Sequence, residues 1–244
     1  MFEKFSTNFE RKTAKNSSQK IGFTLAEVLI TLGIIGVVAA LTLPTLIQNY
    51  KNHVVETRLK KFYTVYNQAI MRSESIYGDK KDWYVDAVGV DLDEEGNVIE
   101  ESSKIEQWFK KYLPDLIIIK KEIMTNGHVY YYLPDGSAFS LGNPNQPSMR
   151  DITFFPNNPK KCKPIQDLGK CAFGFEYYPI SKSQSWKYHY DKGLEPGKVA
   201  WDGNIETLKR STAWSCYDGS GWYCTALIQM NGWKIPKDYP FKVK

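Results

Sequence analysis

The stretch that decides the fold of this chain is Ile21-Gly22-Phe23-Thr24-Leu25-Ala26-Glu27-Val28-Leu29-Ile30, where a short basic leader ends and a long apolar run begins. From Val28 to Tyr50 the chain has 23 residues without a formal charge. A helix of that length spans a bilayer core of roughly 30 Å. Glu27 is charged, and a carboxylate in such a span costs about 2.5–3.5 kcal/mol or more near the bilayer centre, so it requires a functional explanation.

A small residue, Gly22, lies before the apolar run rather than after it. An ordinary secretory signal is cleaved after its apolar region. Cleavage after Gly22 removes residues 1–22 and leaves the apolar helix at the start of the mature protein. The residues Gly22-Phe23-Thr24-Leu25-Ala26-Glu27 closely resemble the processing site of bacterial type IV prepilins and type II secretion pseudopilins.

This resemblance covers about the first fifty residues and implies three residue roles. A prepilin peptidase cuts after Gly22 and methylates the amine of Phe23, and Glu27 pairs with a neighbouring subunit during assembly. The implied partners are that peptidase, other pilin or pseudopilin subunits, a membrane assembly platform and, before assembly, the lipid bilayer. The alternative is an uncleaved single-pass anchor.

Gly36 and Pro44 match family positions that bound a stretch of helix which melts within the filament. Gly36 and Ala40 also form a small-residue face that lets helices approach closely in lipid. Pro44 cannot donate to the carbonyl of Ala40, so a bend or loosening is expected there. The alternative is that glycine and proline are merely tolerated in a membrane helix.

The charge of the leader predicts the orientation in the membrane. It has five basic and two acidic residues, a net charge of +3. By the positive-inside rule the leader stays in the cytoplasm and the bulk of the protein is exported. The expected location is therefore the bacterial inner membrane, as a single-pass protein, with the filament in the periplasm or on the cell surface.

The helix is predicted to continue beyond Tyr50 as an amphipathic segment. Apolar residues recur there at steps of three and four, the period of a helix with one buried face. They are Val55, Leu59, Phe62, Tyr66, Ala69 and Ile70. The helix should reach Tyr77 and end at Gly78, which suits a left-handed stop. The predicted organisation is a leader at 1–22, a membrane and filament-core helix at 23–50, its amphipathic continuation at 51–77, and an exported globular domain at 78–244.

The exported domain is predicted to be α+β, with the long helix packed on a small antiparallel sheet as in pilins. A short helix should begin at Ser103, which forms a capping box with Glu106, and should end at Pro114. Strands are predicted at 116–119, 129–133, 138–141, 172–178 and 225–230. Asn126-Gly127 and Pro134-Asp135-Gly136 are turn signals between strands. Residues 143–170 and 179–215 give no clear pattern.

The four cysteines form two sequence pairs, Cys162 with Cys171 and Cys216 with Cys224, which have eight and seven residues between them. This is wider than the usual spacing of paired zinc ligands. In an exported domain disulfides are therefore the better interpretation. Three pairings are possible; we favour Cys162–Cys171 and Cys216–Cys224, because each pair brackets a loop containing glycine or proline.

Charge and motifs favour a structural protein. Without the leader, 27 basic and 25 acidic residues remain, a net charge of +2, which does not call for a nucleic acid partner. The three histidines lack the sequence context of a catalytic base, and Asp218-Gly219-Ser220-Gly221 resembles a protease nucleophile region only superficially. No enzymatic activity, cofactor or metal is expected.

Two patterns leave alternatives open. Asp91, Asp93, Glu95 and Gly96 resemble the start of a calcium loop, but the twelfth position is Ser102, so an acidic turn is the alternative. Five of the seven tryptophans lie in the last sixty residues: Trp186, Trp201, Trp214, Trp222 and Trp233. They either fill the core or bind sugars on the surface. The expected function is a pilus or pseudopilus subunit; the alternative is a minor tip pilin or adhesin that binds a glycan.

Overall fold

The structure is a computed structural model that describes residues 22, 24–83, 89–125, 127–141 and 150–244. The chain divides into two units, Met1–Thr45 and Leu46–Lys244. In the first unit, residues 25–45 are helical, and nearly all of their side chains are exposed. The second unit contains the remaining helix and a sheet, so the fold class is α+β and pilin-like.

Helix α1 extends over Leu25–Tyr77 and is continuous through Pro44. Within the second unit its buried residues are the six apolar residues of the predicted stripe together with Ser73. The helix ends as predicted, because Gly78 adopts φ +77° and its N–H donates to the carbonyl of Glu74 at 3.0 Å. A residue with a Cβ would be strained in that conformation.

Six antiparallel strands form a single sheet in the order of the chain, β1 to β6. They are β1 Lys120–Ile123, β2 Val129–Tyr132, β3 Ala138–Leu141, β4 Arg150–Phe155, β5 Phe173–Tyr177 and β6 Glu195–Pro196. Three further helices are α2 Lys104–Tyr112, α3 Ile205–Lys209 and α4 Cys224–Met230. Short 3₁₀ turns occur at Lys80–Asp82, Pro159–Lys161 and Gln184–Trp186.

The predicted helix at Ser103 is present, but only half of its capping box forms. The N–H of Glu106 donates to the Ser103 hydroxyl at 3.2 Å. The carboxylate of Glu106 is buried and pairs instead with Lys110, at 3.1 Å, and with Lys121 on β1. The Glu106 side chain, which the capping box places at the helix end, therefore pairs with a residue of the sheet instead.

Two predicted strands are wrong. Residues 116–119 are not a strand; a turn after Pro114 sends Leu116 into the core, and pairing with β2 starts at Lys120. Residues 225–230 are helix α4 rather than a strand. Its residues from Cys224 to Ile228 are all buried. Burial on every side hides the periodicity that distinguishes a helix from a strand.

Strands β4 and β6 lie in the stretches that gave no pattern. β4 is a central strand between β3 and β5, and the residues flanking it on the N-terminal side lie outside the described part of the chain. β6 has only two residues, one of them Pro196. A strand that short carries no sequence period of its own and is recognisable only through its pairing with β5.

The core is an aromatic layer between α1 and the sheet. Phe62 of α1 lies against three rings of the sheet, with centroid distances of 5.2 Å to Phe139, 4.5 Å to Phe154 and 5.3 Å to Phe175. These sheet residues are fully buried, on three adjacent strands. The helix is thereby fixed across the middle of the sheet.

We expect Phe62→Ala to lower the free energy of unfolding of the second unit by about 3–5 kcal/mol, because it leaves a cavity among three buried rings. Val65→Ala, one turn along on a partly exposed position, should cost no more than about 1 kcal/mol. Denaturant unfolding of the detergent-solubilised full-length protein measures both. Equal midpoints for the two variants would contradict the central role of Phe62.

Candidate processing and assembly site

Gly22 is exposed at the start of the described N-terminal segment, and a Cβ built on it meets no atom within 4 Å. Phe23, the predicted site of N-methylation, lies outside the described residues. Helix α1 begins two residues further on, at Leu25.

Glu27 is held at the helix N-terminus by Thr24. The Thr24 N–H and hydroxyl both donate to Glu27 Oε2, each at 2.8 Å, and the Glu27 N–H donates to the Thr24 hydroxyl oxygen at 3.2 Å. This is a reciprocal capping box, which satisfies amide groups that an unpaired helix end leaves open. This capping box was not among the predicted features, although Thr-x-x-Glu is its ordinary sequence signature.

After Glu27 the helix presents an apolar surface that no described residue of the first unit covers. Its large side chains between Leu25 and Leu43 are 43–80 % exposed. Gly36 has open space where a Cβ would lie. By length and composition, this helix can cross a membrane. Such a surface suits either lipid or the matching helices of other copies.

The helix is unbroken at Pro44, where the sequence predicted a bend or loosening. The boundary between the two units falls one residue later, after Thr45. Proline cannot donate the hydrogen bond that would close this turn. The melting of residues 36–44 in a filament therefore stays a prediction.

Family comparisons agree with this division of the chain. The family of unknown function DUF6613 matches residues 45–243. The chain belongs to this family. A second family, the prokaryotic N-terminal methylation motif, matches residues 18–43. The protein is therefore of the type IV prepilin or pseudopilin type. No curated protein and no solved structure gives a significant match.

In the DUF6613 region both disulfides join cysteines that are close in sequence, Cys162–Cys171 and Cys216–Cys224. These are the pairings that the sequence favoured. The first closes the connection between β4 and β5, and the second joins the start of α4 to the preceding loop. Asp167 lies within 4.8 Å of the first pair, but disulfide sulfurs are not thiolate ligands for a metal.

The carboxylate of Glu176 on β5 organises the aromatic C-terminal part of the DUF6613 region. It accepts hydrogen bonds from Trp222 Nε1 at 2.5 Å and from the Lys198 N–H at 2.9 Å. His189 Nε2 lies 2.7 Å from Oε2, the oxygen that accepts from Lys198, and the side chains of His189 and Glu176 are both buried. Burial raises the pKa of the neighbouring Asp151 carboxyl to about 6, although the hydrogen bond from Tyr178 acts to lower it.

The tryptophans divide between core and surface. Trp201 is buried, and its Nε1 donates to the Asn204 carbonyl at 2.7 Å. Trp186 stacks on Tyr178 with 3.7 Å between ring centroids. Trp214 is 39 % exposed. The aromatic region is therefore mainly packing, with Trp214 as an exception.

The acidic residues at 91–96 form a turn. Leu92 and Val98 bridge as antiparallel partners, and Asp93 accepts the Asn97 N–H at 2.7 Å. That backbone hydrogen bond lowers the pKa of the Asp93 carboxyl. The carboxylate is occupied by its own loop, which agrees with the acidic-turn interpretation. His53 is exposed, His128 half-buried and His189 fully buried, in separate parts of the fold.

We expect Trp201→Ala to destabilise the second unit by about 3–5 kcal/mol, because it removes a buried indole from a closed cluster. Trp214→Ala should cost about 1 kcal/mol or less, since the side chain is partly in solvent. Thermal and denaturant unfolding of the two variants provide the comparison. A large loss of stability in Trp214→Ala would show that its loop depends on the indole for packing.

Proposed function

We propose that the protein is a structural subunit of a type IV pilus or of a type II secretion pseudopilus. It is made as a precursor, cleaved after Gly22 and N-methylated on Phe23. The observation that carries the proposal is the methylation motif at residues 18–43, with an exposed Gly22 directly before a capped apolar helix. This arrangement argues for a structural rather than an enzymatic role.

Assembly is proposed to depend on two interactions of α1. The apolar side chains between Leu25 and Leu43 leave lipid and pack against the same surface of other copies, with Gly36 allowing close approach. Glu27 pairs with the Phe23 amine of an adjacent subunit, which offsets the cost of a carboxylate away from water and fixes the axial register. The capping box keeps Glu27 hydrogen-bonded within its own chain until that amine arrives.

The remaining partners follow from this assembly. A prepilin peptidase acts at Gly22 on the cytoplasmic side, and a membrane platform extracts the subunits from the inner membrane. The DUF6613 region is exported and faces outward from the filament.

A second candidate is a minor tip subunit that binds a surface glycan, and the exposed Trp214 favours it. Partly exposed aromatic rings can stack on sugars. Binding of the full-length protein to a glycan array, lost in Trp214→Ala with unfolding unchanged, would support this function over a purely structural one.

Processing gives a direct test. We expect the native membrane protein to begin with N-methylated Phe23, and we expect Gly22→Asp to remain as the full-length precursor, because the peptidase site is then blocked by a charged side chain. Intact mass of the protein purified from its own membrane measures both. A wild-type protein that retains residues 1–22 would refute the proposed processing.

The roles of Glu27 in pairing and in capping can be separated by mutation. Glu27→Leu and Glu27→Gln should keep membrane levels and cleavage near wild type but abolish sheared filaments, because the register-fixing charge is gone. Thr24→Val is the matched control: it removes the hydroxyl of the cap and keeps the carboxylate, so filaments should persist.

Sheared-filament yield, with membrane level and cleavage as controls, measures the three variants. If Thr24→Val and Glu27→Gln reduced the filament yield equally, the capping box alone would explain the need for Glu27 in assembly. Wild-type yield from Glu27→Leu would exclude the pairing role.

A further inference from the structure

The connection between β4 and β5 leaves the sheet at the end that faces the beginning of the second unit. Just after β4, the Arg58 guanidinium donates to the Pro156 carbonyl and, at 2.9 Å, to Asn157 Oδ1. Arg58 is ten residues along α1 from Gln48, about 15 Å. The disulfide-closed loop that follows, residues 162–171, therefore starts from an end of the sheet that contacts α1 near the beginning of the second unit.

The C-terminal residues connect this loop to the first turns of α1 in the second unit. Gln48 Nε2 donates to the Val243 carbonyl at 3.5 Å. Asn157 Nδ2 donates to the Lys244 carbonyl, and the Lys244 N–H donates to the Lys170 carbonyl, both at 3.0 Å. Lys244 Nζ lies 2.9 Å from Asp167 Oδ1. These contacts hold the loop at the same end of the unit as Gln48.

Gln48 is the third residue of the second unit and directly follows the apolar part of α1 in the chain. Leu46, Ile47 and Tyr50 are 65 %, 52 % and 69 % exposed, and Lys51 begins the charged part of α1. Tyrosine is enriched at the interface between the acyl chains and water. Gln48 therefore lies near the level of the lipid headgroups when α1 spans a bilayer.

The loop exposes an apolar residue that has lysines on both sides of it in the sequence. Ile165 is 85 % exposed, more than any other large apolar side chain in the described part of the chain. Lys161 and Lys163, four and two residues before it, are exposed, whereas Lys170 is half-buried with its Nζ 5.1 Å from the centroid of the Phe241 ring. Within the described residues these three lysines form no ion pair, whereas the loop's one acidic residue, Asp167, is neutralised by Lys244.

We propose that this loop is a membrane-surface contact that recognises anionic lipid headgroups. Unpaired lysines at headgroup level are attracted to an anionic surface, and an exposed isoleucine between them can enter the interface. The Cys162–Cys171 disulfide closes the loop around this tip. The contact orients the DUF6613 region on the bilayer before assembly.

The inference rests on the membrane anchoring in the proposed function and does not require filament assembly. Flotation of the full-length protein with vesicles tests anchoring by itself. A failure of anchoring is thus distinguishable from a failure of the loop contact.

The test places an environment-sensitive fluorophore on Ile165→Cys in full-length protein reconstituted into vesicles that carry a nitroxide quencher on the headgroups. Anionic vesicles contain about 30 mol% phosphatidylglycerol in phosphatidylcholine, and neutral vesicles contain phosphatidylcholine alone. The control label is on Ile117→Cys, a position that is also exposed. Ile117 lines a pocket together with Val65, and Val65 is about 25 Å along α1 from Gln48. Peptide mapping verifies that both disulfides are intact.

A charge variant and its matched control complete the design. Lys161→Gln with Lys163→Gln removes two lysines beside Ile165. The control, Lys104→Gln with Lys111→Gln, removes two lysines from α2. This helix lies far from the loop, because the carbonyl of its Tyr112 accepts a hydrogen bond from Ser73, which is about 37 Å along α1 from Gln48.

We expect quenching at position 165 to exceed that at 117 by about twofold or more in anionic vesicles at low salt. It should fall to the level of position 117 in neutral vesicles, in about 0.5 M salt, and in the Lys161/Lys163 variant, but not in the Lys104/Lys111 variant. Equal quenching at the two positions in anionic vesicles would overturn the proposal. So would quenching at 165 that is unaffected by lipid charge and salt, because headgroup charge would then play no part.

Discussion

The structure of the second unit depends on the contact between one face of α1 and the aromatic face of the sheet. Phe62 touches rings on three strands, and the other buried residues of the stripe extend this contact along the helix. The strands are only two to six residues long, so the sheet by itself has little to hold it together. Packing against a long helix supplies the apolar burial that such short strands lack.

The same helix has different surroundings in its two halves, and this links stability to the proposed assembly. In the second unit its apolar stripe is buried against its own chain, whereas in the first unit its apolar side chains are exposed and none of the other residues described there covers them. That surface can be satisfied by lipid before assembly and by other copies afterwards. Thr24 occupies Oε2 of Glu27 within the chain, and the pairing proposed for assembly adds the amine of a neighbour to the same exposed carboxylate.

The C-terminal third is held by polar contacts and disulfides rather than by regular secondary structure. Glu176 joins Trp222, His189 and the Lys198 amide to β5 in a buried cluster. Buried polar groups are costly unless they are hydrogen-bonded, so this cluster ties the long connections to the sheet in one arrangement. Most of the aromatic residues there are explained by this packing, and Trp214 stands apart from it.

The sequence by itself determined the elements whose signals are local. Helical periodicity predicted all six apolar residues of the α1 stripe, glycine predicted its end at Gly78, and loop composition favoured the two disulfide pairings that the structure contains. The prepilin-type motif is likewise a local pattern. Tertiary structure alone decided that residues 225–230 are helical, that β4 and β6 join the sheet, and that the Glu106 carboxylate turns to Lys121 instead of its own helix end. In each of these cases the deciding partner is distant in sequence, and burial or long-range pairing outweighs the local preference of the chain.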